Sequence, residues 1–315
     1  MLKPYLLAGL LALAGCTTRP PTHLAVAAGY CDPPLPYRYN PTFAPQVDFE
    51  AALTPTLLAR YPRRNLLTAN AVGILPQLRE LLALQESARR QPGPAAELAV
   101  LRQRQAIAGQ VALVSSTVAS LAAELDCEGE RADQVAGYLK TLDDRRTQRL
   151  NVLSIGVGAA SGIGTTVIEN KGGQYAFGIG GGLLAAGLGL LTLRQQGHTA
   201  EFDHPRNLLA DVWAEKSASD LFPPSVWYLL REPAFSNGGQ TSIAHNTRQR
   251  WQHYGQLAKP ESKKGKQLAG LLFGPGGQYS ADELTVRANM LNELQSAVRL
   301  LNQELQGLLL VLNEN

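Results

Sequence analysis

The chain has 315 residues, 45% of them hydrophobic and 6% aromatic, and a formal net charge of +3. That length holds one large domain or two ordinary ones, and so small a charge excludes the electrostatic footprint of a nucleic-acid binder. Leu, Ala, Gln and Arg, all good helix formers, stand out in the composition and predict an all-α body.

The first sixteen residues, MLKPYLLAGLLALAGC, place Lys3 ahead of a short apolar run from Tyr5 to Ala14. The run is too short to cross a hydrocarbon core of about 30 Å as a helix, so residues 1–15 read as a secretory signal. Its end, Leu13-Ala14-Gly15-Cys16, resembles the lipobox of bacterial lipoproteins. The resemblance implies that Cys16 is lipidated and becomes the first mature residue, with several acyl chains giving stable anchoring. Thr17 stands where lipoproteins retained in the inner membrane carry Asp, which implies the outer membrane. Two cysteines remain, Cys31 and Cys127, and in an oxidising periplasm an even pair is a disulfide candidate.

Prolines at 20, 21, 33, 34, 36, 41 and 45 block helix through residues 16–47, which read as a tether from the lipid to the body. Asp48 is an N-cap for FEAAL, and helical bundle sequence follows to residue 150. Leu67, Ala71, Ile74, Leu78 and Leu81 step by fours and threes with Pro76 inside the run, and RRQPGP ends it. Val100, Ile107, Val111, Val114, Val118, Leu121 and Leu125 then form a heptad seam, continued by Val135, Leu139 and Leu142.

Residues 197–315 read as the second part of the bundle. DHPRNLLADVW predicts a helix capped by Asp203; LFPPSVWYLL predicts a turn and a short helix; Thr241 to Tyr254 is helical but polar. KPESKKGKQ reads as a basic surface loop and FGPGGQY as a turn. Ser280-Ala281-Asp282-Glu283 fits a capping box ahead of a stripe from Leu291 through Leu294, Val298, Leu301, Leu305 and Leu308 to Leu312. No long run of period two predicts a sheet. The expected fold is all-α: a long-helix bundle or antiparallel coiled coil with a central glycine-rich hydrophobic hairpin.

That hairpin, residues 151–196, contains GVGAASGIGTT, which tempts a phosphate-loop reading. The GxGxxG spacing fails at Ser161, and no GK[ST] occurs in the chain, so nucleotide binding is not expected. Nor do GxSxG or HExxH occur, and the five histidines lack zinc-ligand spacing. His245 and His253 are two helical turns apart with no third ligand, the acidic pairs lie beside arginines, and Trp213, Trp227 and Trp251 sit among apolar neighbours as core residues. No catalytic residue, metal or cofactor is expected.

The two legs, Val152 to Ile168 and Tyr175 to Leu193, carry no charged residue, and the first would rise about 26 Å as a helix. Both approach the thickness of a bilayer's hydrocarbon core, about 30 Å. Gly156, Ala160 and Gly164 recur every fourth residue, as do Gly158 and Gly162, and Gly178, Gly182 and Ala186. Small residues at this spacing let helix backbones pack closely, as membrane helices do. In water each mid-helix glycine costs about 0.8–1 kcal/mol against alanine, and the second leg holds six.

With the lipobox, Val152 to Leu193 resembles the glycine-zipper two-transmembrane segments of outer-membrane lipoproteins. The resemblance implies a bilayer partner through Cys16 and residues 152–193, and a homo-oligomer or another envelope protein on the zipper faces. Long helices around a hydrophobic hairpin also look like α-helical pore-forming toxins of the haemolysin type. Arg145, Arg146, Arg149 and Arg194 gather at the open end, on the wrong side for inner-membrane insertion from the periplasm. Insertion in the outer membrane, self-assembly or shelter within the bundle each removes that conflict. A structural or interaction lipoprotein of the envelope is the expected function, with a pore-former as the alternative.

Overall fold

The computed structural model describes residues 23–33, 40–193, 197–253, 257 and 259–314. Residues 1–22, with the signal and Cys16, and Arg194 lie outside the described residues. The protein is predominantly α-helical. In chain order it has β1 (His23–Val26), α1 (Phe49–Ala52), α2 (Pro55–Arg60), α3 (Arg63–Val72), α4 (Leu75–Arg90), α5 (Pro94–Val167) and α6 (Lys171–Leu193). Then follow β2 (Thr199–Asp203), α7 (Leu208–Trp213), α8 (Pro224–Arg231), α9 (Ile243–His253), α10 (Lys263–Phe273), β3 (Gly276–Ser280) and α11 (Ala281–Glu314).

The chain divides into two compact units. A hairpin unit comprises residues 137–201 with strand residues 23–26 and 278–281; a bundle unit comprises residues 27–136, 202–277 and 282–314. Helix α5 begins in the bundle unit and, without a break, supplies the first leg of the hairpin.

Within the bundle unit the heptad seams form the core. Ile107, Val111, Val114, Val118, Leu121 and Leu125 of α5 are buried, as are Leu291, Leu294, Val298, Leu301, Leu305 and Leu308 of α11. The two helices run antiparallel: Ser115 meets Asn302 at 2.8 Å, and Gln295 donates to Asp126 at 2.5 Å. Trp227 and Trp251 are buried in the same unit, and Trp213 stacks on Phe273 with centroids 4.5 Å apart. Asp48 caps α1 by accepting from the Ala51 amide at 3.0 Å.

Several local expectations are corrected. The stripe from Leu67 to Leu81 is two helices: Gly73 ends α3 at φ +79°, and Pro76 sits in the first turn of α4. A β-carbon on Gly73 would lie 2.0 Å from the Phe43 carbonyl oxygen, so both the left-handed turn and the close approach require glycine. The segment 16–47 is more than a tether. Cys31 is bonded to Cys127, and the Asn70 side chain both donates to the Gln46 carbonyl and accepts from its amide. Lys263, Lys264 and Lys266 belong to helix α10, whose N-cap Ser262 accepts from the Gly265 amide at 3.0 Å, and not to a loop.

A three-stranded sheet, in the order β1-β2-β3, was not expected from the periodicity. Asp203 ends β2 and does not cap a helix; α7 begins after Asn207. Asn207 does not cap α7 with its side chain either: its amide donates to the carbonyls of Leu272 and Gly274, at 2.8 and 2.9 Å. The predicted turn FGPGGQY runs directly into β3, where a β-carbon on Gly276, at φ +121°, would lie 2.4 Å from the Phe202 carbonyl oxygen.

Candidate functional site: the glycine-rich hairpin

The hairpin is closed at both ends by polar contacts. At the open end the His198 amide donates to Asp143 Oδ1 at 2.9 Å, and the His198 ring nitrogen Nδ1 lies 2.5 Å from the same oxygen. At the tip the Gln174 side chain donates to the Ile168 carbonyl at 2.7 Å, and Asn170 accepts from the Gly172 amide at 2.9 Å. These contacts satisfy backbone groups that the reversal of the chain would leave unpaired.

Between the ends the legs meet along a seam of alternating threes and fours. Ser154, Val157, Ser161, Gly164 and Ile168 are half-buried on the first leg, and Gln174, Gly178, Gly181, Ala185 and Leu188 on the second. The seam is small and polar. Ser154 donates to the Ala185 carbonyl at 3.2 Å and Ser161 to the Phe177 carbonyl at 3.0 Å. A β-carbon on Gly181 would fall 2.2 Å from Ser161 Cβ, and one on Gly164 would fall 2.6 Å from the Phe177 ring. Glycine therefore sets how closely these backbones approach, and the serines lose their polarity into the partner helix.

The fourth-residue faces proposed from the sequence take only part in this. Gly164 and Gly178 lie in the seam, and a β-carbon on Gly178 would meet the Thr165 methyl at 3.3 Å. Gly156, Gly158, Gly162 and Gly182 face open space, and Ala160 and Ala186 are exposed. The seam within the hairpin follows another line for a geometric reason: at 3.6 residues per turn a strict four-residue step drifts about 40° around the helix, whereas a three-four alternation stays near one line. Gly181 is the contact glycine that the fourfold spacing passed over.

The outer surface is apolar. No residue from 151 to 191 is buried, and of the 21 large hydrophobic residues exposed in the described structure, 12 lie between Val152 and Leu191. Exposed apolar side chains concentrated in one element mark a surface for contact with lipid or with another protein. Both α5 and α6 contain an 18-residue stretch apolar enough to cross a membrane, by length and composition. In α5 a third of that stretch is buried, which puts it largely on the packed seam ahead of the hairpin; in α6 none of it is.

In the bundle unit several buried polar residues gather near the passage from β2 into α7. Arg131 pairs with Glu128 at 2.9 Å, donates to the carbonyls of Ala27 and Asp203, and lies 4.0 Å from the Phe202 ring centroid. Arg206 pairs with Glu124 at 2.5 Å, and Arg287 donates to the Leu272 carbonyl at 3.0 Å. Arg131 and Arg206 are each paired with a carboxylate and Arg287 is held by a carbonyl, which describes a structural network that ties the strand crossing to α5, α10 and α11. A groove of about 490 Å³ is flanked by the exposed pairs Arg64–Glu304 and Arg250–Glu293. No group of three His, Cys, Asp or Glu placed to hold a metal occurs among the described residues.

His204 is buried in this network, 2% exposed, and its imidazole is held down to a pKa of about 3 by burial and then by the positive charge of Arg287 and Arg131. Above about pH 6.5 both folded and unfolded states are neutral there; below it the unfolded chain takes up a proton that the folded chain refuses until about pH 3. Stability therefore falls as pH is lowered, by about 2 kcal/mol between pH 6.5 and 4.5. Urea midpoints at those two pH values should differ less in His204→Gln than in the unchanged protein; equal differences would clear His204 of the effect.

No protein-family model, curated protein or solved structure matches the chain.

Proposed function

We propose that this is an envelope lipoprotein of the outer membrane whose hairpin enters the bilayer, working as a structural or interaction component and not as an enzyme. The observation that carries the reading is the hairpin's surface: residues 151–191 contain only Glu169 and Lys171 as charges, both at the tip, and leave 12 large apolar side chains exposed. Moving these from water into hydrocarbon is worth about 1 kcal/mol or more each, on the order of 10 kcal/mol together. The seam supports the same reading, because its serines bond to carbonyls of the opposite leg and bring no unsatisfied hydroxyl into lipid.

Cys16 would hold the chain on the membrane through its lipid, and the hairpin would provide a second, independent attachment. Gly156, Gly158 and Gly162, open in the single chain, offer the backbone approach that another copy or an envelope partner would use. Carbonate extraction of Cys16→Ser tests the reading: the variant should remain in the membrane pellet. Quantitative release into the soluble fraction would count against the hairpin as an integral anchor.

A further inference from the structure

We infer that the open end of the hairpin is an anionic-phospholipid site, in which Arg145, Arg146 and Arg149 hold headgroup phosphates at the level where the first leg enters the bilayer. This rests on the proposed insertion of the hairpin and assigns which end lies at the headgroups.

The geometry follows from helix spacing. Arg145 and Arg149 are one turn apart on α5, and Val152 and Leu153 come three and four residues later, so all four share one side of the helix. Arg145, Gln148, Arg149, Val152 and Leu153 line one open concavity, with guanidinium groups at one end and aliphatic side chains at the other. Leu153 and Val152 are 56% and 68% exposed, so the polarity changes from cationic to apolar within a single turn of uncovered surface. A membrane interface presents the complementary order, phosphate above hydrocarbon.

The charges nearby leave the arginines available. Asp143 is engaged by His198, and Asp144 is the other carboxylate of the segment, against four cations, Lys140, Arg145, Arg146 and Arg149. All three arginines are exposed, and among the described residues no carboxylate lies within 4.0 Å of any of them. The tip differs: Glu169 and Lys171 offset one another, so the opposite end has no comparable attraction for anions. Guanidinium is planar, always charged and bidentate toward phosphate, and its aliphatic stem can lie along the hydrocarbon boundary while its head stays in water.

The experiment uses the full chain with Cys16→Ser, so that the lipid does not mask the hairpin, and flotation with two vesicle compositions: phosphatidylcholine alone, and phosphatidylcholine with phosphatidylglycerol. Each cation near an anionic surface is worth about 5-fold in partitioning, so the anionic vesicles should bind more tightly by on the order of 10²-fold, falling as salt is raised. R145Q/R146Q/R149Q should lose that preference yet still float with both compositions; R145K/R146K/R149K should recover most of it. An unchanged preference in the glutamine variant would overturn the assignment while leaving hairpin insertion standing. Failure of the parent chain to float with either composition would overturn the insertion and the site with it. Inorganic phosphate is added at constant ionic strength: no displacement is expected from a lipid site, and displacement would reassign the arginines to free phosphate.

Discussion

Arginine at both Leu184 and Ile163 should drive the hairpin out of the membrane without unfolding the protein in water. The two side chains are 64% and 65% exposed, so replacing them removes little packing. On a water-exposed helix such substitutions change stability by about 0.5 kcal/mol or less. Near the middle of a hydrocarbon core each arginine costs about 2.5–3.5 kcal/mol, or about 5–7 kcal/mol for the pair. The same double substitution is therefore nearly silent in one solvent and disabling in the other. In the Cys16→Ser background the pellet fraction after carbonate should collapse while the urea midpoint of the bundle stays put. A double variant that remains in the pellet as firmly as its parent would show that lipid does not surround these legs.

The second large effect concerns the Cys31–Cys127 bond. It closes a loop with a sequence separation of 96, and in the chain-entropy account such a loop stabilises the fold by about 4.7 kcal/mol. What it holds is specific: the backbone around Ala27 to Asp32, where the Ala27 carbonyl accepts from Arg131 at 2.7 Å. Loss of the bond frees that carbonyl's segment and leaves the buried Arg131–Glu128 pair more open to water. Cys127→Ser should lower stability by about 2–5 kcal/mol in urea unfolding. Dithiothreitol should shift the parent chain by a similar amount and the variant by nothing further. Coincident transitions for parent and variant under oxidising conditions would remove the disulfide from any account of stability.

Much of the helical framework was readable from spacing alone. The stripes at Ile107 to Leu125 and Leu291 to Leu308 are buried throughout, because a helix commits every third or fourth residue to one face whatever it packs against. The continuation of α5 into the first hairpin leg was open to the same reasoning, since nothing between Leu142 and Asn151 breaks a helix. Short elements were not. β2 alternates as a strand should, with Ala200 and Phe202 buried and Glu201 and Asp203 exposed, but five residues are too few for the pattern to stand out from a helix start. Gly73 could be read as a helix end only once Phe43 was known to press on it.

For the hairpin the division is sharper. By itself the sequence determined that two uncharged legs of membrane length are joined by a polar tip, because composition and length suffice for that. It also determined that arginines stand at one end and not the other. Which small residues touch was decided only by the tertiary structure. Antiparallel helices contact along a line that advances by threes and fours, so Ser161, Gly164, Gly178 and Gly181 face inward while Gly156, Gly158, Gly162 and Gly182 are left open. The physical reason is that periodicity specifies angles around one helix axis, whereas a contact also depends on the register and crossing of the second helix.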